Sequence, residues 1–296
     1  MSGSASISDA APTLLTFGHG YSAAALAGLL GPRGWRLIGT TRSSEGADRI
    51  AATGVEPRIW PGCDLGPDIA TASHILISAA PDAEGDPALR DWGAAIARRG
   101  SGLSWLGYLS TTGVYGDHQG GWVDEDTALA PSTRRGQWRV AAEAAWQDLA
   151  RAHGLPLHTF RLAGIYGPGR GPFAKVRDGT ARRIVKPGQV FSRIHVEDIA
   201  QVLAASIARP RPGAVYNLCD DDPAPPEDVI AHAARLLGLP LPPAIPFDEA
   251  EMTPMARSFY AESKKVRNDR IKDELGVRLR YPDYRAGLAA LLAGES

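Results

Sequence analysis

Residues 13–30 read TLLTFGHGYSAAALAGLL: a short apolar run, then Gly18-His19-Gly20, then an Ala/Leu-rich stretch stopped by Gly31-Pro32. The order is strand (Thr13–Phe17), tight turn, helix (Ser22–Leu30). Gly18 permits the turn. Gly20 has no side chain, so backbone amides can come close to a pyrophosphate, and Ala23 lets the helix pack closely on the strand. The helix start supplies unpaired N–H donors and the positive end of a dipole for the anion. Gly18, His19, Gly20, Tyr21 and Ser22 are therefore the candidate phosphate cradle. A glycine trio alone also fits an ordinary turn before a helix. The strand before it and the helix after it are the context that a dinucleotide fingerprint requires.

Trp35–Thr40 reads as the second strand, and Gly39-Thr40-Thr41-Arg42-Ser43-Ser44 closes it. A carboxylate about 20 residues beyond the glycines would hold a ribose 2′-hydroxyl and favour NAD. That acidic slot is empty here. Arg42, flanked by Thr41 and Ser43, stands in its place and suits a 2′-phosphate through charge-assisted bonds. The expected cofactor is NADP(H) in preference to NAD(H). The other reading of Arg42 is a solvated loop arginine, and its position at the strand end favours the first.

Further along, Arg58–Trp60, His74–Ser78, Leu103–Ser110 and Leu157–Leu162 read as strands, and Arg134–His153 as a long helix. Strand and helix signals that alternate in this way predict an α/β fold: a doubly wound parallel sheet of Rossmann type. After about residue 165 the alternation weakens and Pro and Gly rise. Helices are expected at Val196–Ala208, Pro226–Leu237 and Ser263–Leu275. The expected organisation is a disordered tail over 1–11, the nucleotide-binding core over 12–165, and a smaller substrate-binding part over 166–296 packed on that core.

Composition sets the class. The chain has 296 residues with 44% hydrophobic content, enough for a sizeable core. Lys+Arg 32 balance Asp+Glu 33, so no basic excess draws the surface to nucleic acid or an anionic membrane. No apolar run approaches the roughly 18 residues of a membrane span, and the N-terminus lacks a charged leader. Cys63 and Cys219 are far apart and read as reduced thiols. The histidines show no ligand spacing, so no metal is expected. The expected setting is cytoplasmic and the expected partner a small molecule.

Leu109–Gly116 reads LSTTGVYG, Arg161–Arg170 reads RLAGIYGPGR, and Ser192–Ile199 reads SRIHVEDI. With the glycine turn, these blocks resemble the extended and atypical short-chain dehydrogenase/reductases, the epimerase/dehydratase group, over about Leu14 to Leu291. The resemblance implies that Asp64 lies near the adenine and that Ala79, Ala80 and Pro81 line the cofactor. It places Thr111 in the slot of the catalytic Ser/Thr and Leu162–Ile165, Ala163 included, beside the nicotinamide. Family members often pair through the long helix, so a homodimer is an expectation of the same kind.

One departure carries chemical weight. The family begins its long helix with Tyr-x-x-x-Lys. This chain has Arg135 and Arg139 there, with Gly136 and Glu143 in register. An arginine stays protonated, so Arg135 is a poor proton donor or acceptor. Arg139, one turn later on the same face, can still hold ribose hydroxyls. The catalytic candidates are thus Thr111, Tyr115 and Arg139. Tyr115 and Tyr166 also read as packing residues, and His195 as a loop-fixing residue at a helix start. Trp105 and Trp146 read as core. Arg135, Arg139, Lys175, Arg177, Arg182 and Arg183 either converge on an anionic substrate or are scattered surface charge. Two functions follow: an oxidoreductase or epimerase/dehydratase-like enzyme with a non-standard active site, or a non-catalytic NADP-binding redox sensor or scaffold.

Overall fold

The structure is a computed structural model and describes residues 11–294. The expected tail lies outside the described residues apart from Ala11. The first half alternates: β1 (Thr13–Phe17), α1 (Tyr21–Leu30), β2 (Arg36–Thr41), α2 (Ser44–Ala51), β3 (Glu56–Ile59), α3 (Gly66–Thr71), β4 (His74–Ile77), α4 (Pro87–Ala97) and β5 (Trp105–Thr111). The short β6 (Trp122–Val123), the long α5 (Arg134–His153) and β7 (Leu157–Leu162) follow. The remainder is more broken: β8 (Gly164–Tyr166), α6 (Phe173–Arg177), β9 (Arg183–Val185), β10 (Arg193–His195), α7 (Val196–Ala208) and β11 (Val215–Leu218). It closes with α8 (Pro226–Leu236), β12 (Ala244–Pro246), α9 (Pro254–Phe259), β13 (Lys265–Val266), α10 (Asp269–Leu275) and α11 (Tyr284–Gly294).

The main sheet has seven strands in the order β11-β7-β5-β4-β1-β2-β3, every neighbour parallel. Its strand order reverses between β1 and β4, which opens a crevice beyond their C-terminal ends. Strands buried on both faces read as unbroken apolar runs. β1 and β4 are buried along their whole length, as TLLTF and HILI require. One face packs Leu26 and Leu30 of α1 against Val202 and Leu203 of α7. The other packs Ile69, Ile96 and Trp146 from α3, α4 and α5. Trp105 and Trp146 are both fully buried, and the Trp105 indole N–H donates to Ser206 Oγ at 3.0 Å.

Two expectations change. The stretch Ser263–Leu275 becomes helical only from Asp269, because its first residues are held elsewhere. The Ser263 amide donates to Asp117 and its hydroxyl to the Gly188 carbonyl, while Lys265 and Val266 pair with β6. The seventh strand, β11, was not expected. It is four residues long and follows the loop of Pro210 and Pro212, so its only strong signal is pairing with β7. Residues beyond 166 thus supply both a sheet strand and α7. Among the described residues, no helix is long and apolar enough to cross a membrane.

Candidate functional site

The glycine turn sits at the point where the strand order reverses. Gly18 has φ +81°, and a Cβ there would lie 2.9 Å from the Ala79 amide nitrogen at the end of β4. Only glycine satisfies both the dihedral and the close approach. The Gly18 amide donates to Thr40 Oγ1 at 2.7 Å, tying the turn to β2. Gly20 caps α1 with no side-chain hydrogen bond, and nothing lies within 4 Å of where its Cβ would be. The first-turn amides of α1 therefore keep unpaired donors facing open space, the arrangement that accepts a phosphate group.

His19 and Tyr21 brace this turn. A Cβ on Gly39 would lie 2.7 Å from the His19 ring, so the imidazole packs on bare β2 backbone. His19 Nδ1 meets the Thr16 hydroxyl at 2.9 Å, and burial lowers its pKa, so the ring is neutral near neutral pH. Tyr21 reaches across to donate to the Pro168 carbonyl at 2.9 Å. The phosphate turn and the second glycine turn, 166–169, are thereby joined.

Just past the same C-terminal end of β2, Arg42 is exposed and makes no hydrogen bond or ion pair among the described residues. Thr41 is half-buried, and Ser43 Oγ accepts from the Gly46 amide to cap α2. Asp64 is exposed, and its carboxylate accepts from the Gly66 amide at 2.8 Å where α3 begins. Ala79 is half-buried, Ala80 exposed and Pro81 buried after β4.

Thr111 closes β5 at the same edge. Its Oγ1 accepts from the Gly113 amide at 3.1 Å, capping the short turn 112–115, and the residue remains partly exposed. The accepting role leaves its own hydrogen free to donate. Ala163 is buried, and its amide pairs with Leu218 at 3.0 Å. Arg139 lies under β5: Nη1 donates to the Leu109 carbonyl at 2.6 Å and to the Tyr108 hydroxyl at 3.2 Å. Its remaining guanidinium nitrogens have no partner among the described residues. Arg135 is exposed on the first turn of α5.

The structure does not bring Tyr115 to this edge. It is fully buried, and its hydroxyl donates to Asn217 Oδ1 at 2.7 Å and accepts from Arg161 Nη1 at 3.0 Å. Burial pushes the phenol up to about 12 against the pull of Arg161. A hydroxyl closed in the core cannot meet a substrate, so Tyr115 is a packing residue. His195 is buried as well: Nδ1 accepts from the Glu197 amide to cap α7, and burial lowers its pKa. Tyr166 is buried, and its ring meets that of His195 at 5.1 Å. Three of the basic side chains are engaged locally. Arg182 is held by the Gly179 and Ala181 carbonyls, Arg183 by Pro242, and Arg177 lies over Phe173.

Arg161, Arg193 and Asp220 escaped the sequence reading, as did the pairing of Glu143. Arg161 and Glu143 form a buried ion pair at 2.8 Å between β7 and α5. Arg193 and Asp220 meet at β10, where the Asp220 amide donates to the Arg193 carbonyl at 2.6 Å. The available signal was a charge inside an otherwise apolar strand, as in LHTFRL and SRIH.

Comparison with known proteins adds to this geometry. Residues 94–219 match the model of the NAD dependent epimerase/dehydratase family. The protein YeeZ of Escherichia coli (strain K12) is 30% identical over 287 residues, 90% of this chain and 95% of its own. A 3-diazoavenalumate denitrifying reductase from Streptomyces sp is 29% identical over 182 residues, 56% of this chain and 58% of its own. The solved structure of a conserved protein of unknown function from Silicibacter pomeroyi DSS is 64% identical. It covers 96% of this chain and 99% of its own, with a TM-score of 0.92.

Proposed function

Because the chain belongs to the NAD-dependent epimerase/dehydratase family, we propose that it is an NADP(H)-dependent oxidoreductase acting on a small polar carbonyl compound, without the family's Tyr-x-x-x-Lys pair. The observation that carries this reading is the pairing of an uncapped, open α1 start with a partly exposed Thr111 at the end of β5. The residues present fit a dinucleotide. The Gly18–Ser22 turn would take the diphosphate on backbone amides, Asp64 would lie beside the adenine, and the free nitrogens of Arg139 would take ribose hydroxyls. Arg42, unpaired and exposed, would hold a 2′-phosphate and select the phosphorylated coenzyme.

When bound, the nicotinamide supplies or takes up a hydride; the chain's own residues bind, orient and move the proton. The Thr111 hydroxyl, already accepting from Gly113, donates to the substrate oxygen. The phenol that would normally give the proton is absent, since Arg135 stands in its place. The proton then comes through Thr111 from solvent, and turnover is slow. The relative from Streptomyces sp is by name a reductase, which supports hydride chemistry here.

Exposed Arg135 and β5-bound Arg139 favour a second reading, a binding protein that responds to the coenzyme's redox state without turnover. Restoring the pair as Arg135→Tyr with Arg139→Lys separates the two. A gain of NADPH oxidation with carbonyl substrates is expected of an enzyme with a depleted site. No gain, alongside tight NADPH binding, favours the sensor.

A further inference from the structure

Arg193 lies on β10 directly opposite Gly164 of β8. Its stem passes over that glycine, because a Cβ on Gly164 would lie 3.8 Å from Arg193 Cγ. Gly164 is exposed and follows Ala163, at the end of the site assigned above to the nicotinamide. Only one nitrogen of the guanidinium is used: Nη1 donates to the carbonyls of Phe191 at 2.8 Å and Ala224 at 3.0 Å. Nε and Nη2 have no partner among the described residues.

Two acids stand near this cation, and neither forms an ion pair with it. Asp220 is 1% exposed and neither of its carboxyl oxygens has a partner. The two acids that follow it are turned outward and paired, Asp221 with Lys272 and Asp222 with Arg285. Burial raises the Asp220 carboxyl to about 8, against the pull of Arg193. That rise favours its protonated form, and it makes no ion pair with the guanidinium. The second acid, Glu227, likewise has a buried oxygen without a partner, and burial raises its pKa. Aromatic rings stand beside the guanidinium. Arg193 lies 6.0 Å from the Phe191 ring, Phe191 meets Tyr260 edge-on at 5.6 Å, and Tyr260 meets Phe247 at 5.3 Å.

A guanidinium with two donor nitrogens that have no partner among the described residues, a buried acid that does not bond to it and aromatic rings beside it suit one ligand chemistry. We propose that Arg193 holds the carboxylate of a substrate whose body is unsaturated and flat, next to the reactive end of the cleft. This rests on the oxidoreductase reading and names its substrate class. The planar fork of arginine matches a carboxylate with two parallel bonds, and stacking on the aromatic wall favours a conjugated body.

The test is calorimetric titration of the full chain loaded with NADPH, using cinnamate, its neutral amide cinnamamide, and inorganic phosphate as probes. Cinnamate is expected to bind at least about tenfold more tightly than cinnamamide, as a charge-assisted bidentate pair requires, with phosphate not competing. Arg193→Gln is expected to erase the difference by weakening cinnamate alone, Arg193→Lys to reduce it, and NADPH binding by both variants serves as the control for folding. Equal affinity for acid and amide, binding of neither, competition by phosphate, or a preference that survives in both variants overturns the proposal. If Arg193→Gln does not fold, the comparison of acid with amide on the unaltered chain still decides. Loss of cinnamate discrimination with NADPH binding intact refutes only this inference. Failure to bind NADPH at all refutes the coenzyme reading first.

Discussion

The hydroxyl of Tyr115 accepts a hydrogen bond from Arg161 Nη1 at 3.0 Å in the interior of the protein. Arg161 is in turn paired with Glu143 at 2.8 Å, so one polar network joins the loop after β5, the strand β7 and the helix α5. The tyrosine that the sequence offered as a catalytic group thus serves the frame that presents Thr111. Tyr115→Phe would leave buried donors on Arg161 without an acceptor, at a cost of about 1–3 kcal/mol. Glu143→Ala would strand a buried guanidinium and cost about 3–5 kcal/mol. Urea unfolding measures both. NADPH affinity of Tyr115→Phe should stay that of the parent, and a stability unchanged by either substitution would contradict the network.

Thr111→Val keeps the shape of the site and removes the hydroxyl. The variant should bind NADPH as the parent does and lose turnover of any carbonyl substrate the parent accepts. Single-turnover absorbance at the NADPH band reads this directly, and normal turnover would remove Thr111 from the chemistry.

Arg42→Ala addresses coenzyme choice. At a coenzyme concentration roughly one hundred times Kd, NADPH should stabilise the parent by about 2.7 kcal/mol. NADH should stabilise it less, and the substitution should bring the two to the same level. Thermal melts with each coenzyme give the answer; equal protection of the parent by both would refute the role of Arg42.

Gly18→Ala must place a Cβ 2.9 Å from the Ala79 amide at φ +81°. The left-handed dihedral alone costs about 1 kcal/mol or more, and the contact adds to it. A lower melting temperature together with loss of NADPH binding is expected. A variant that binds as well as the parent would show that the turn does not cradle the coenzyme.

Two buried histidines set a dependence on pH. Burial lowers His74 and His158 from 6.5 to about 4. The unfolded chain takes up these protons at about 6.5 and the native state only at about 4. Their stabilisation is therefore present above 6.5 and lost as pH falls through 4. Each gap corresponds to about 3 kcal/mol. His158 Nε2 accepts from the Arg211 amide at 2.7 Å and its ring stacks on Trp105. His158→Gln keeps an acceptor and removes the titrating proton. It should flatten the loss of stability between pH 7 and 4 by roughly half of the two-histidine effect; an unchanged acid profile would contradict the assignment.

Much of the fold was legible because it is written in local patterns. Thr13–Phe17, Arg134–His153, Leu157–Leu162 and Val196–Ala208 appear with the expected bounds. Each is an apolar strand or a helix with clear stop signals. β11 was not legible, because four residues after two prolines declare a strand only through pairing with β7. The glycine turn was legible at Gly18, whose positive φ and close approach to Ala79 require glycine; Gly20 lies in extended backbone with open space around it, and the geometry there does not demand glycine. The contacts of the buried charged residues were not: the Glu143–Arg161 ion pair joins residues 18 apart through the packing of α5 on β7, and the backbone bond from Asp220 to Arg193 joins residues 27 apart where the β11 end meets β10. His19 shows the same limit. Its place in the glycine turn suggested a phosphate contact, and its ring instead covers Gly39.

Isothermal titration of the purified chain with NADPH is the most direct test of the account. It predicts saturable one-to-one binding that weakens in Arg42→Ala and disappears in Gly18→Ala. No heat of binding with either NADPH or NADH, from a protein whose melting curve shows it folded, would contradict it.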